Sequence, residues 1–261
     1  PPPPPDDDAR AVVLSVPREL TALVVNGAPS PQKYRDEAFF TEAALSATGS
    51  PVRAVVRDAD AAWHEKFADY DVVLLLNVEA PLLHRDTGGH DRFARLDPLG
   101  FALLAALQET QATGHALVQR LAEGGGLFIS VGDRVDPDAW NAAMGEVLPR
   151  RLRVVKTAVE PNAPDAATRA ARLTQAAINH PVMVPFTGRA REGLLSTRFY
   201  RYALFEGDAQ GVETEVLGTM DDGAPVFLAA RRGKGRLFVF ASTVDRDWSD
   251  LPIRTSFLPL M

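Results

Sequence analysis

The stretch Leu121–Pro137, LAEGGGLFISVGDRVDP, decides how this sequence folds. Three glycines lead into the apolar segment Leu127–Val131, and a Gly-Asp turn ends it. A short apolar run bounded by glycines is typical of a strand buried on both faces of a parallel sheet. Ser130, Gly132 and Asp133 lie where this strand ends, at the sheet edge where α/β proteins bind ligands. The stretch therefore predicts an α/β domain with candidate functional residues at the end of this strand.

Two further apolar runs predict strands of the same sheet. TALVVNGAP covers residues 21–29, and DVVLLLNVEA covers residues 71–80. Apolar side chains at helical spacing follow the first run, and strands that alternate with helices indicate a doubly wound parallel sheet in three layers. Because right-handed crossovers bring the carboxyl ends of parallel strands to one edge, we expect Asn26, Asn77 and Gly132 to lie along it.

Polar residues at these strand ends and at the start of the first helix form the candidate binding site. Asp36 or Glu37 is in position to cap the helix that Phe39 and Phe40 continue. At the carboxyl edge the same side chains are available to hold a partner. The candidate site residues are Asn26, Tyr34, Asp36, Glu37, Asn77, Asp133 and Arg134.

The chain divides into a leading segment and one large domain. Residues 1–18 open with PPPPPDDD, a stiff solvated linker, and continue into a short edge strand that we interpret as the remnant of a preceding domain. Residues 19–261 form the α/β domain, which contains a polar insertion from 81 to 114. From about residue 150, turn signals at Asp222-Gly223 and Gly233-Lys234-Gly235 predict an antiparallel, β-rich C-terminal extension.

Composition excludes several classes of function. Of the 261 residues, 28 are Lys or Arg and 34 are Asp or Glu, and the net charge of -6 leaves no basic surplus for binding nucleic acid. The sequence has no cysteine, which excludes disulfides, thiolate metal sites and cysteine nucleophiles. No dinucleotide or phosphate-loop motif is present, so no cofactor is expected. No apolar run is long enough to span a bilayer.

Ser130 is the candidate nucleophile at the strand end, but its neighbours do not complete a catalytic set. Phe128 stands where a G-x-S-x-G elbow needs its first glycine, and no histidine is placed by the sequence to activate the hydroxyl. We therefore expect a domain that is not an enzyme. The alternative, a hydrolase-like enzyme that uses Ser130 or Asp133 with a histidine of the insertion, requires an exposed Ser130 hydroxyl.

Two groups of residues have atom types suited to a metal ion. His84, Asp86, His90 and Asp91 lie in the polar insertion, where a solvated loop is the simpler interpretation. The segment DRDWSD, residues 245–250, spaces its carboxylates like the front of a calcium loop but lacks the glycine and the glutamate that complete one. We expect no metal. The weak candidates are Asp245, Asp247 and Asp250, whose carboxylates are expected to cap backbone amides.

Most of residues 20–261 resembles a family of large bacterial membrane proteins. The similarity is carried by ALVVNGAPSPQKYRDEAFFTEAALS, YDVVLLLNV, GGGLFISVGDRVDPDAWNAAMGEVLP and GKGRLFVFASTVDRDWSDLPIRTSFLPL, most specifically by DRDWSDLP. These segments resemble the class I glutamine amidotransferase-like domain of aerotolerance-type proteins that contain a von Willebrand A domain. The resemblance implies a flavodoxin-like sheet. Because true class I amidotransferases need a catalytic cysteine, no catalytic residue carries over to this sequence.

The resemblance also implies a location and a role. It implies a periplasmic domain of a membrane-anchored protein, attached to the membrane through segments outside this sequence. On this basis we expect a non-catalytic interaction or scaffold domain of a cell-envelope protein. Its partners are then other proteins or other domains of the parent chain, docked at the carboxyl edge of the sheet, and no nucleic acid takes part.

Overall fold

The structure is a computed structural model that describes residues 19–79, 116–145, 147–177, 180–207 and 213–261. The predicted linker and edge strand of residues 1–18, and the insertion with His84, Asp86, His90 and Asp91, lie outside these ranges. The strands are β1 (Leu20–Asn26), β2 (Val52–Asp58), β3 (Val72–Leu76), β4 (Gly126–Ser130), β5 (Leu152–Thr157), β6 (Ala171–Ala176), β7 (Arg198–Phe199), β8 (Arg201–Phe205), β9 (Thr214–Met220), β10 (Pro225–Arg232) and β11 (Gly235–Phe240).

Helices connect and flank these strands. They are α1 (Glu37–Leu45), α2 (Ala59–Ala62), α3 (described from 116 to 123), α4 (Pro137–Met144), α5 (Ala166–Arg169), α6 (Gly188–Leu195) and α7 (Phe257–Leu260). Short 3-10 turns cover Lys33–Arg35, Phe67–Asp69, Pro181–Met183 and Leu251–Ile253. The helix α1 packs against β1 and β2, and α4 packs against β5.

The core of the main sheet is parallel, which confirms the predicted α/β architecture at that level. Strands β2, β1, β3, β4 and β11 lie side by side in this order, and each neighbouring pair is parallel. Three successive residues of β1, Leu23, Val24 and Val25, are fully buried. Because successive side chains of a strand point to opposite faces, both faces of the sheet are covered here.

The strands after residue 150 continue this sheet. Strand β10 pairs antiparallel with β11, and β9, β6 and β7 follow in antiparallel order, while β5 and β8 form a separate two-stranded ladder. Gly223 and Gly233, in the two predicted turns, have φ angles of 82° and 57°. These angles lie in the left-handed region that glycine enters at no steric cost. Since β11 is inserted between β4 and β10, its end joins the carboxyl edge of the parallel strands.

A buried tryptophan fixes the loop that leaves β3. Trp140 of α4 is fully buried, and its Nε1–H donates to the carbonyl oxygen of Val78 at 3.0 Å. Asp136 caps this helix by accepting from the Ala139 N–H at 2.7 Å. The Trp140 contact holds the backbone just beyond Asn77, at the sheet edge where the strand ends meet.

Candidate functional site

An open cavity of about 360 Å³ lies at the carboxyl edge of the parallel strands. Four strand ends contribute to it: the loop after β1, the turns after β3 and β4, and the segment after β11. Its lining residues are Ala28, Pro29, Ser30, Pro31, Gln32, Arg35, Glu37, Asn77, Asp133, Arg134, Thr243, Asp245, Asp247 and Trp248. The volume is at the lower end of the range of about 300–1,000 Å³ for ligand pockets, so the cavity suits a small molecule.

Asn77 is the organising residue of this cavity. Its φ angle is 49°, and it is the only residue other than glycine with a positive φ in the described part of the chain. Its Nδ2 donates to Asp133 Oδ1 at 2.8 Å, and its Oδ1 accepts from the Arg134 N–H at 2.9 Å. The side chain fits because residue 132 is glycine, where a Cβ would lie 2.3 Å from Asn77 Cγ. The sharp turn at the sheet edge is therefore at Asn77, and Gly132 makes room for it.

Two substitutions at residue 77 remove the same side-chain hydrogen bonds. We expect the two variants to differ in stability because the backbone is left-handed at this residue. Asn77→Ala should be less stable than Asn77→Gly by about 0.5–1 kcal/mol, because a Cβ costs about 1–2 kcal/mol in this conformation and glycine returns part of that through its flexible unfolded state. Urea unfolding of both variants measures the difference. Equal stabilities would show that the folded chain does not hold a left-handed residue here.

The sequence left open whether Asp36 or Glu37 caps α1, and the structure assigns different roles to the two residues. Asp36 is the N-cap, and its side chain accepts from the N–H groups of Ala38 and Phe39. Glu37 does not cap: it is fully buried, and its Oε2 accepts from the Val244 N–H at 3.0 Å. Glu37 therefore ties the first helix to the segment after β11 and lies at the floor of the cavity.

Two buried carboxyl groups have raised pKa values. Burial raises the pKa of Glu37 well above its ordinary value, and repulsion by Asp245 adds to this, against the opposing Val244 N–H and Asn77 amide. Burial also raises the pKa of Asp245 to about 6, although the Thr243 hydroxyl and the Asp247 N–H favour its charged form. Both groups therefore keep their protons to a higher pH than an exposed carboxyl group does.

Both guanidinium groups of the cavity are paired with carboxylates. Arg35 Nε lies 2.9 Å from Asp247 Oδ1, so these two charges compensate each other. Arg134 Nη1 lies 3.6 Å from an oxygen of Glu79, in an exposed and weak pair. Asp133 and Asp245 take no part in these two ion pairs, so the site has a small net negative charge.

The structure places the seven candidate residues in two groups. Glu37, Asn77, Asp133 and Arg134 line the cavity. The other three support its wall: Asn26 Nδ2 donates to the capping Asp36 at 3.1 Å, and the exposed ring of Tyr34 packs on Phe39 and Phe40. Thr243 and Trp248 were not expected in a binding site, and Asp245 was only a weak metal candidate, because this segment reaches the edge only through the parallel pairing of β11 with β4.

The weak metal candidates do not converge. Asp245 and Asp247 line the cavity, and the Asp247 N–H donates to Asp245 Oδ1 at 3.0 Å. Asp250 points to Arg254 and accepts from the Arg198 N–H at 2.8 Å. Among the residues that the structure describes, no three acidic or histidine side chains are grouped to hold a metal ion. The predicted capping of backbone amides is thus present at Asp245 and Asp250.

The hydrolase alternative has no support in the structure. Ser130 is fully buried, and its Oγ has no hydrogen-bond partner among the described residues. The cavity lining contains neither of the described histidines, His64 and His180. Ser130 ends the buried strand β4 and is not among the residues that line the cavity. Asp133 does line the cavity, but its Oδ1 is occupied by the Asn77 amide.

Comparison with known proteins shows similarity of fold at low sequence identity. No protein-family model and no curated protein matches the sequence. The cytoplasmic proteins STM3548 from Salmonella typhimurium and STM1381 from its strain LT2 both align with a TM-score of 0.60, at 15% and 12% identity. Both alignments cover 92% of this chain, and they cover 95% and 96% of those proteins. A ThuA-like protein from Bacteroides uniformis aligns with a TM-score of 0.55 at 11% identity, over 97% of this chain and 92% of its own.

These structures overturn the expected relationship to aerotolerance-type membrane proteins. Two cytoplasmic proteins and a ThuA-like protein are among the solved structures that align over almost the whole chain. The expectation of a periplasmic scaffold domain in a membrane-anchored cell-envelope protein, which rested on that resemblance, is wrong with it. Within the described ranges, no helix has both the length and the apolar character to cross a membrane. At these identities the likeness shows the α/β fold and nothing of the function.

Proposed function

We propose that this domain binds a small, neutral, polyhydroxylated molecule in the cavity at the carboxyl edge of its sheet. The observation that carries the proposal is the lining of that cavity, in which carboxyl groups, guanidinium groups, two amides and two hydroxyls surround about 360 Å³. Each hydroxyl group of a polyol or a monosaccharide both donates and accepts a hydrogen bond. Such a ligand can therefore satisfy neighbouring donors and acceptors without bringing a charge of its own.

The charges of the cavity disfavour the other classes of small ligand. An anion would meet the carboxyl groups of Asp133, Asp245 and Glu37 and would find Arg35 already paired with Asp247. A divalent cation needs converging carboxylates, and the described residues offer no such group. A neutral ligand with several hydroxyl groups meets neither obstacle. Asp133 is 2.8 Å from the Asn77 amide and keeps its second oxygen for a ligand hydroxyl.

The proposal extends to the fold type and to the absence of covalent chemistry. A parallel core ordered β2-β1-β3-β4 and the likeness to a ThuA-like protein support a flavodoxin-like sheet of the class I glutamine amidotransferase-like type. The burial of Ser130 and the absence of cysteine support binding without a covalent intermediate. The strained residue at the edge is Asn77, whose amide positions Asp133 and the Arg134 backbone and has no nucleophilic role.

A screen of neutral hydroxylated compounds tests the proposal. The wild-type chain is heated with D-glucose, D-mannose, myo-inositol or glycerol, and any compound that raises Tm is titrated by calorimetry. A ligand at about ten times its Kd stabilises the fold by about 1.4 kcal/mol, which corresponds to a Tm increase of a few degrees. Asp133→Ala is expected to weaken binding about ten- to hundredfold, because a hydrogen bond to a charged group contributes about 1.5–3 kcal/mol.

Asp58→Ala is the matched control for this experiment. Asp58 ends the neighbouring strand β2, is exposed, and makes no side-chain capping hydrogen bond. Its removal should leave the affinity as it is in the wild type. A wild-type chain that none of the compounds stabilises, or equal losses in Asp133→Ala and Asp58→Ala, would contradict binding at this cavity.

A further inference from the structure

The carboxyl group of Glu37 leaves one of its two oxygens without a partner. Oε2 accepts from the Val244 N–H at 3.0 Å, whereas Oε1 is buried and has no hydrogen-bond partner in the described structure. The Asn77 amide is near enough to favour the charged form of the group, yet it makes no hydrogen bond with Oε1. Glu37 lines the cavity although the side chain has no exposed surface. Glu37 thus combines a buried carboxyl oxygen that has no partner with a place in the lining of the proposed ligand site.

The groups around Glu37 favour its neutral form. Asp245, after β11, and Asp133, after β4, face it with negative charge, and its burial opposes ionisation most strongly. The two guanidinium groups of the cavity pair elsewhere, Arg35 with Asp247 and Arg134 with Glu79. The groups that favour the charged form are an amide and a peptide N–H, which are neutral dipoles. Together these contacts keep the pKa of Glu37 well above its ordinary value.

The two oxygens of a neutral carboxyl group are chemically different, and the structure assigns them. The carbonyl oxygen accepts hydrogen bonds, which matches Oε2 and its bond from Val244. The hydroxyl oxygen carries the proton, which matches the unpartnered Oε1. A buried donor without an acceptor costs about 1–3 kcal/mol, so an incoming acceptor at this point is favoured by a similar amount.

We propose that Glu37 is a specificity-determining residue, a neutral carboxylic acid that donates its Oε1–H to a hydroxyl or carbonyl oxygen of the bound molecule. This inference rests on the proposed binding function and deepens it. Asp133 and Asp245 supply acceptors to the ligand, and Glu37 supplies a donor between them. An ammonium group or a metal ion has no lone pair to accept that proton, so the site rejects both.

The protonation of Glu37 makes ligand affinity depend on pH. Ionisation removes the donor and places a third negative charge beside Asp133 and Asp245, so affinity falls as pH rises through the pKa of Glu37. Asp245 has a pKa of about 6, and its negative charge helps to raise the pKa of Glu37. The two groups titrate as a coupled pair, and ligand affinity follows the ionisation of Glu37.

Calorimetric titration of wild type and Glu37→Gln with the tightest polyol of the screen tests this inference across pH 6 to 10. Glutamine keeps a carbonyl acceptor for Val244 and an N–H donor for the ligand, and it does not ionise. The wild-type affinity should fall by about tenfold for each pH unit above the pKa of Glu37, whereas Glu37→Gln should lose less than about threefold over the whole range. A parallel pH dependence in the two proteins, or tighter wild-type binding at high pH, would overturn the inference.

The 13C NMR signal of the Glu37 carboxyl carbon separates this inference from the proposed function. Measured without ligand at pH 7, it should have the shift of a protonated carboxylic acid, and the shift of a carboxylate would overturn the assignment. If no polyol binds while Glu37 is protonated, the proposed function fails and the neutral carboxyl stands. If Mg²⁺ or spermidine raises Tm in the wild type but not in Glu37→Gln, the group acts as an anion and the inference fails.

Discussion

Gly27→Ala is expected to lower the free energy of unfolding by about 3 kcal/mol or more and to remove ligand binding. A Cβ on Gly27 would lie 2.1 Å from the carbonyl oxygen of Asn77 and 2.5 Å from the Val78 Cα. Both are backbone atoms, which cannot rotate away as a side chain does. The only relief is a movement of the turn after β3, and that turn positions Asn77, the residue on which the cavity depends. The cost therefore falls on stability and on the site together.

Thermal unfolding measures this effect, and Gly207→Ala is its control. A Cβ on Gly207 meets no atom within 4 Å, so this substitution should change stability by less than about 0.5 kcal/mol. For Gly27→Ala we expect Tm to fall by roughly 6–12 °C in a chain of this size. If both variants unfold within about a degree of the wild type, the close approach of the β1 and β3 ends is not a feature of the folded protein.

The parallel core was predictable because its signals are local in sequence. Each of β1, β3 and β4 is a short run of Val, Leu or Ile bounded by a turn, and helices separate the runs. These local signals also place the strand ends at one edge, which is why Glu37, Asn77, Asp133 and Arg134 were expected there. Their observed positions follow from strand direction alone and need no knowledge of the side chains around them.

The chemistry of the site was not predictable, because it depends on contacts between distant parts of the chain. Glu37 is buried by the Val244 backbone, 207 residues away. The parallel pairing of β11 with β4 brings this segment in, and no local pattern distinguishes it from an antiparallel extension. The Gly-Asp turn after β4 predicted a nucleophile position at Ser130. The residue in the left-handed conformation is instead Asn77, and asparagine is one of the few residue types other than glycine that adopt it. The glycine at 132 is explained by the space that Asn77 needs.

Asp245→Asn is expected to change the pH dependence of stability by about 3 kcal/mol. The pKa of Asp245 is raised from 3.8 to about 6, chiefly by burial, and each unit corresponds to about 1.36 kcal/mol. A group whose pKa is higher in the folded state than in the unfolded state binds its proton more tightly when folded. Its contribution to stability is therefore fully present below about pH 4 and is lost as pH rises through about 6.

Asparagine at position 245 removes this titration. It keeps a carbonyl oxygen for the Asp247 N–H, which donates to Asp245 Oδ1 at 3.0 Å. Relative to the wild type, Asp245→Asn should gain about 3 kcal/mol of stability between pH 4 and pH 8. The gain has a second source, because loss of the negative charge at 245 removes the repulsion that helps to raise the pKa of Glu37. Glu37 then resists ionisation less strongly.

Urea unfolding at pH 4 and pH 8 measures the difference, with Asp58→Asn as the matched control. Asp58 is exposed at the end of β2, and asparagine is an equally good residue at a helix N-cap, so its substitution should shift stability by the same small amount at both pH values. A constant difference between Asp245→Asn and the wild type would show that Asp245 keeps an ordinary pKa in the folded chain. The cavity would then hold one more carboxylate at pH 5, and the balance of charge that favours a neutral ligand would shift toward a cationic one.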